Sequence, residues 1–188
     1  MKIEEILANN NIVTIFGEID QAMASNTIKN ILKCYFDNKE EKSLVIIINS
    51  PGGNVSDGLA ILSAVKALPF DKVTTVALGQ ASSMGAVLLA CAGTRGSRFA
   101  LPYTEIMVHQ PIAGIQGQIT DLAIHTKQAV FRKRILAELL AEACNKTAAD
   151  ISKIAERDHF FSTREAVNYK LIDDEISSLK EVLGYDYI

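Results

Sequence analysis

The sequence predicts an α/β protein built on a parallel sheet, and three observations predict it. Apolar strand-like runs alternate with helical stretches, which implies parallel pairing and right-handed crossovers. One run, Ser43-Leu44-Val45-Ile46-Ile47-Ile48-Asn49, is apolar without alternation, as in a strand covered on both faces. A second, Val73-Thr74-Thr75-Val76-Ala77-Leu78, is β-branched and leads through Gly79-Gln80-Ala81-Ser82-Ser83-Met84-Gly85-Ala86 into small apolar residues suited to a buried helix.

The bulk properties agree. At 188 residues the chain is long enough for one domain, which would bury roughly 70% of its unfolded surface. It is 48% hydrophobic and 22% charged, an ordinary globular composition. Its formal charge of −3 gives no reason to expect a nucleic-acid or anionic-membrane partner. Acidic residues in Met1-Lys2-Ile3-Glu4-Glu5 and the lack of a spanning apolar run lead us to expect a cytoplasmic protein. Cys34, Cys91 and Cys144 lack metal or disulfide spacing and read as small buried hydrophobes in a reducing compartment, so no metal or cofactor is expected.

In chain order, residues 3–9 read as a short helix broken by Asn9-Asn10-Asn11, and Ile12–Phe16 as a strand ending at Gly17. Ala22 to Phe36 has helical spacing, with Ser25 or Asn26 as candidate starts. Asn38-Lys39-Glu40-Glu41-Lys42 is a mixed charge run and reads as a solvated loop. The strand at 43–49 stops at Ser50-Pro51-Gly52-Gly53, and a helix from Asp57 to Leu68 ends at Pro69. Arg98 to Pro102 leads into a strand over Glu105–Val108, which ends at His109-Gln110-Pro111. From Ile119 to Cys144 one apolar stripe is sustained, a helix of about 40 Å, the alternative being two shorter helices with a break near Arg132–Arg134. A helix of that length should project and bury its stripe on another subunit, making the chain a homo-oligomer. Thr147 and Asp150 form a capping-box pattern for a helix to about Glu156, and Ser162 or Thr163 caps a last helix through Tyr169.

The chemistry starts at the strand-to-helix corner. Unpartnered N–H groups of a helix start face whatever lies over it, and the helix dipole favours negative charge there. A nucleophilic serine in such a tight turn needs small residues two before and two after it. Ser83 has Ala81 and Gly85 there, whereas Ser82 has Gln80 and Met84, so Ser83 is the candidate nucleophile.

Of the three histidines, His125 lies within the long helix and His159 beside Asp158 and Phe160, while His109 ends a strand of the serine's own sheet. His109 is therefore the candidate base. Asp121, Asp150, Asp158 and Asp173 compete to orient its ring. Asp121 and Asp150 have helix-end roles, and Asp158 sits in a linker beside two phenylalanines placed to shield it, so Asp158 is chosen. Met84 N–H supplies one oxyanion donor, and the Gly52-Gly53 turn is the candidate for the second.

Together Ile48–Gly53, Gly79–Ala86, Met107–Pro111, Gly117–Asp121 and Glu156–Asp158 resemble, in order from about residue 4 to 175, the proteolytic subunit of the Clp protease, the caseinolytic serine peptidase family. The resemblance implies Ser83, His109 and Asp158 as triad and Gly53 and Met84 amides as oxyanion hole. It implies that the backbone at Asn54 and Val55 pairs with an extended polypeptide substrate as an added strand. It implies a crotonase-like spiral of ββα units, with a head at 1–108 and 146–188 and a strand–long helix handle at about 110–145. Two stacked seven-membered rings would enclose the active sites, with Glu156 and Arg157 reaching across the ring contact. An ATP-driven AAA+ unfoldase is the implied partner, although the segment that engages it is short here. Ala113, His159 and Lys170 depart from the residues usual in the family. A catalytically silent ring subunit and a crotonase-type acyl-CoA enzyme are the alternatives.

Overall fold

The computed structural model describes residues 3–37, 42–112, 114 and 116–183. Most of the charge run at 38–42, the departure at Ala113 and the start at Met1-Lys2 lie outside the described residues. The elements are α1 (Ile3–Asn9), β1 (Ile12–Phe16), α2 (Gln21–Asp37), β2 (Ser43–Ser50), α3 (Val55–Ala67), β3 (Lys72–Ser82), α4 (Met84–Ala92), β4 (Arg98–Ala100), β5 (Glu105–Val108), α5 (Ile119–Cys144), α6 (Ala148–Ile154), β6 (His159–Phe161), α7 (Thr163–Tyr169), β7 (Asp174–Glu175) and α8 (Lys180–Leu183). This is the predicted mixed α/β class. No helix among the described residues is long and apolar enough to cross a membrane.

The sheet runs β1-β2-β3-β4-β7 with every neighbour parallel. β3 is longer than its β-branched run suggests, and it serves two partners. Its first half, Thr75–Ala77, pairs with Arg98–Ala100 of β4, and its second half, Gln80–Ser82, pairs with Glu105–Met107 of β5. The antiparallel strand β6 then closes on β5. The second half of β3 thus carries a small sheet of its own, and that sheet brings the distant candidate residues to one place.

Local chemistry sets the element ends. α2 begins earlier than expected, because Asp20 Oδ1 accepts the Met23 N–H at 2.8 Å; Ser25 and Asn26 lie inside the helix. α3 begins at Val55 rather than Asp57, capped by Asn54, whose side chain accepts from Ser56 and Asp57 N–H. Both arms of the Thr147–Asp150 capping box form, and Ser162, not Thr163, caps α7 in a second box with Glu165. Lys170 ends α7 at φ 71°, in the left-handed region where a glycine carries no Cβ penalty.

α4 is buried along its whole length. α5 runs 26 residues unbroken through Arg132–Arg134. Its C-terminal half buries Leu136, Ala137, Leu140, Ala141 and Cys144 and packs on α4 and α6. Its N-terminal half leaves Ile119, Ile124, Val130 and Phe131 exposed. The predicted stripe is therefore divided, half of it core and half of it open surface.

The three cysteines are free thiols in buried positions. Burial pushes Cys34 and Cys144 up to about 11 and Cys91 up to about 12.

Candidate active site

Ser83 stands between β3 and α4 with φ 53° and ψ −118°, a conformation that costs a non-glycine residue about 1–3 kcal/mol. Surrounding structure imposes it. Ser83 N–H bonds Met107 O at 2.8 Å, Ser83 O accepts from Val87 N–H at 3.1 Å, and the residues two before and two after have no room to be larger. Ala81 is fully buried between paired strands, and a Cβ on Gly85 would lie 3.1 Å from Ser50 O. The steric choice of Ser83 over Ser82 thus has its physical reason in the structure: Ser82 is the last residue of β3, paired with Met107, and Ser83 is the corner.

The small sheet delivers the other two groups. Because Ser82 pairs with Met107, the end of β5 passes beside the serine, and His109 Nε2 lies 2.8 Å from Ser83 Oγ. Because Val108 pairs with His159, the next position outward sets His109 opposite Asp158, and Nδ1 lies 3.0 Å from Asp158 Oδ1. A carboxylate only accepts, so in the neutral ring Nδ1 carries the proton and Nε2 is left to accept from the serine hydroxyl. His125 and His159 stay outside this contact. His125 is exposed on α5, and the His159 ring sits edge-on to Phe161 at 4.6 Å.

The expected shielding of Asp158 does not occur. Its side chain is 62% exposed, and Phe160 is itself exposed; only Phe161 of the pair is buried. β6 alternates, so the two phenylalanines point to opposite faces and cannot both cover the carboxylate.

Met84 opens α4, so its N–H has no partner within the helix. The Gly52-Gly53 turn presses against the same corner. A Cβ on Gly52 (φ 97°) would lie 2.7 Å from Ser83 Cβ and 3.0 Å from Met84 N, and one on Gly53 (φ 150°) would lie 2.3 Å from Ile19 O. Both positions exclude any side chain. Ser50 Oγ holds the turn by accepting Gly52 N–H at 3.0 Å, and Met84 is seated on Gly58, where a Cβ would lie 2.2 Å from Met84 Cγ. Sequence reasoning passed over Ser50 and Gly58. The Ser-Pro-Gly sequence was a readable signal for a hydroxyl-stabilised turn, but the Gly58–Met84 contact joins two helices and left no local trace.

Asn54 and Val55, the residues expected to pair with an extended substrate, stand at the start of α3. Asn54 N–H already bonds Ile19 O at 2.7 Å, its carbonyl accepts from Gly58 N–H at 3.0 Å, and Val55 lies in the first turn of α3. Asn54 is itself extended, at φ −66° and ψ 126°. Both residues line the cleft over Ser83, of about 510 Å³, together with Glu18, Gly53, His109 and Arg132. Glu156 and Arg157, expected at an oligomer contact, are exposed.

A mostly parallel α/β sheet presenting a serine, an imidazole and a carboxylate in hydrogen-bonding sequence defines the class of acyl-transfer hydrolase geometry. The chain matches the Clp protease family model over residues 1–178, and it belongs to that family. It is 39% identical over 177 residues to the ATP-dependent Clp protease proteolytic subunit of Ligilactobacillus salivarius, covering 94% of this chain and 88% of the relative. It is 39% identical over 163 residues to the protein of the same name from Carsonella ruddii, covering 87% and 82%. Membership implies a serine peptidase.

Proposed function

We propose that the chain is a serine endopeptidase of the Clp type, cleaving unfolded proteins or short peptides inside an oligomeric ring chamber. The observation that supports this reading is the 2.8 Å contact between Ser83 Oγ and His109 Nε2, with the far side of the ring bonded to Asp158. In the reaction Ser83 Oγ attacks the scissile carbonyl while His109 takes the hydroxyl proton, help typically worth about 10²–10⁴-fold. Asp158 holds the tautomer and stabilises the imidazolium. The Gly53 and Met84 amides receive the developing oxyanion, each donor contributing about 10²–10³-fold. His109 then protonates the leaving amine, and a water activated by the same ring releases the acyl group from Ser83.

On this reading the chain is one peptidase unit, a head at 1–108 and 146–188 with a handle at about 110–145. The apolar residues left open on α5 are the face that a second copy covers, in two stacked rings of seven, with Glu156 and Arg157 near that contact. The relatives' name, ATP-dependent, supports an AAA+ unfoldase as the partner that feeds the chamber. The test is peptide cleavage and fluorophosphonate labelling of wild type and Ser83→Ala, with light scattering on both. Expected are a particle many times 20.5 kDa for both and chemistry in the wild type only. Turnover retained by Ser83→Ala, or a monomer at micromolar concentration, contradicts the proposal.

A further inference from the structure

We propose that Gln110 is a positioning residue that holds Asp158 against His109, and that Lys133 of α5 fixes the orientation of its amide. The inference rests on the peptidase reading above and concerns a part of the site that the triad itself leaves unexplained: what keeps so exposed a carboxylate in place.

Asp158 is anchored on its C-terminal side by the pairing of β6 with β5, which ends at Val108–His159. On its N-terminal side the strands have parted, and Gln110 takes over. Its N–H donates to Ala155 O at 2.6 Å, and its Nε2 donates to Glu156 O at 2.9 Å. Three residues, Glu156 to Asp158, therefore span two fixed points, one on each side. Because Gln110 follows His109 directly, both ends of the His109–Asp158 contact are tied to the same stretch of backbone.

The amide can satisfy these bonds in one orientation only. Lys133 Nζ lies 2.8 Å from Gln110 Oε1, and an ammonium group can donate but not accept. It must face the amide oxygen, which turns the NH₂ group to the Glu156 carbonyl. α5 is thereby connected, through one side chain, to the segment carrying Asp158. Catalytic groups lose rate steeply when misplaced, up to about 10²-fold for 1 Å, so a loosened segment should be felt in turnover before binding.

The experiment compares the full-length wild type with Gln110→Met, Lys133→Met, Asp158→Asn and the double variant Gln110→Met/Asp158→Asn, measuring kcat, KM and the rate of Ser83 labelling by a fluorophosphonate. Gln110→Met should lower kcat about 10- to 100-fold with KM within about twofold. Lys133→Met should lower it about 3- to 10-fold, because the Gln110 amide that bonds Glu156 O is still present and only its orientation is loosened. When Asp158→Asn is already present, adding Gln110→Met should change labelling by less than about twofold, since the contact it supports has been lost. An active wild type with Gln110→Met at the same rate overturns the proposal alone. So does an equal loss with and without Asp158→Asn, which would mark a structural role not routed through Asp158. If Gln110→Met does not fold, Lys133→Met, made with and without Asp158→Asn, decides by the same criterion. A wild type that neither cleaves nor labels sinks the peptidase reading and this proposal together.

Discussion

Two aspartates near the C-terminal end of the chain, Asp158 and Asp173, face opposite physical situations. Asp173 is 22% exposed and its carboxylate is saturated: Oδ2 accepts from Gly96 N–H at 2.7 Å, Arg98 N–H at 3.0 Å and Arg98 Nε at 2.9 Å, and Oδ1 from Arg98 Nη2 at 2.6 Å. Arg98, only 3% exposed, directs Nη1 to Ala90 O and Ala143 O, tying together the ends of α4 and α5. Burial alone would raise the Asp173 carboxyl, but the Arg98 hydrogen bonds and charge outweigh it and hold the group below the ordinary carboxylate range. Asp158 is largely exposed and bonds the His109 ring. The difference separates two roles: the enclosed, saturated carboxylate ties elements of the fold together, and the exposed one, on the proposed peptidase reading, orients His109.

That division can be broken most severely at Asp158. Asp158→Asn should lower kcat/KM by about 10³–10⁴-fold, because the ring loses its orienting acceptor, while the chemical-denaturation midpoint barely moves. A loss of stability as large as the loss of rate would erase the distinction. Asp173→Asn should do the reverse. Removing one partner of a buried ion pair leaves the other charge uncompensated, at a cost of about 3 kcal/mol, and cleavage per folded molecule should not change. Its pH dependence has a definite sign. A carboxyl whose folded-state value is depressed contributes stability that is present above its unfolded value of about 3.9 and is lost as pH falls through the lowered folded value. The stability gap between wild type and Asp173→Asn, followed by denaturation from pH 7 to pH 3, should therefore hold steady near neutrality and narrow below about pH 4. The smallest effect sharpens the contrast from the other side. Lys170, three residues before Asp173, occupies a left-handed cap, and Lys170→Gly should add about 0.5–1 kcal/mol by thermal unfolding without altering cleavage.

The two aspartates also mark the limit of what could be read from the chain. Ser83 was legible because the constraint on it is local: a tight corner admits only small neighbours, and Ala81 and Gly85 are close by in sequence. His109 was legible from topology, as a strand end in the serine's own sheet. Asp158 was reached by elimination on a premise, shielding by phenylalanine, that the alternation of β6 contradicts; its real placement comes from strand register. Asp173 stood only among the candidates to orient His109, and its pairing with Arg98 gave no signal, since the two lie 75 residues apart and no periodicity joins them. Long elements with a sustained pattern, α5 above all, were recovered at their bounds. The three-residue strands β4 and β6 were not, because what makes them strands is pairing with a partner distant in sequence, β3 for β4 and β5 for β6. The starts of α2 and α3 shifted because single Asp and Asn side chains, too short a signal for a pattern, set them.

The buried thiols carry a practical consequence. With Cys34, Cys91 and Cys144 enclosed and raised to about 11 or above, the folded chain presents almost no thiolate to an alkylating dye at neutral pH. Val130→Cys, on an open turn of α5, would therefore give one selective attachment point for a fluorophore or spin label, and its rate of modification would read out directly when that face is covered.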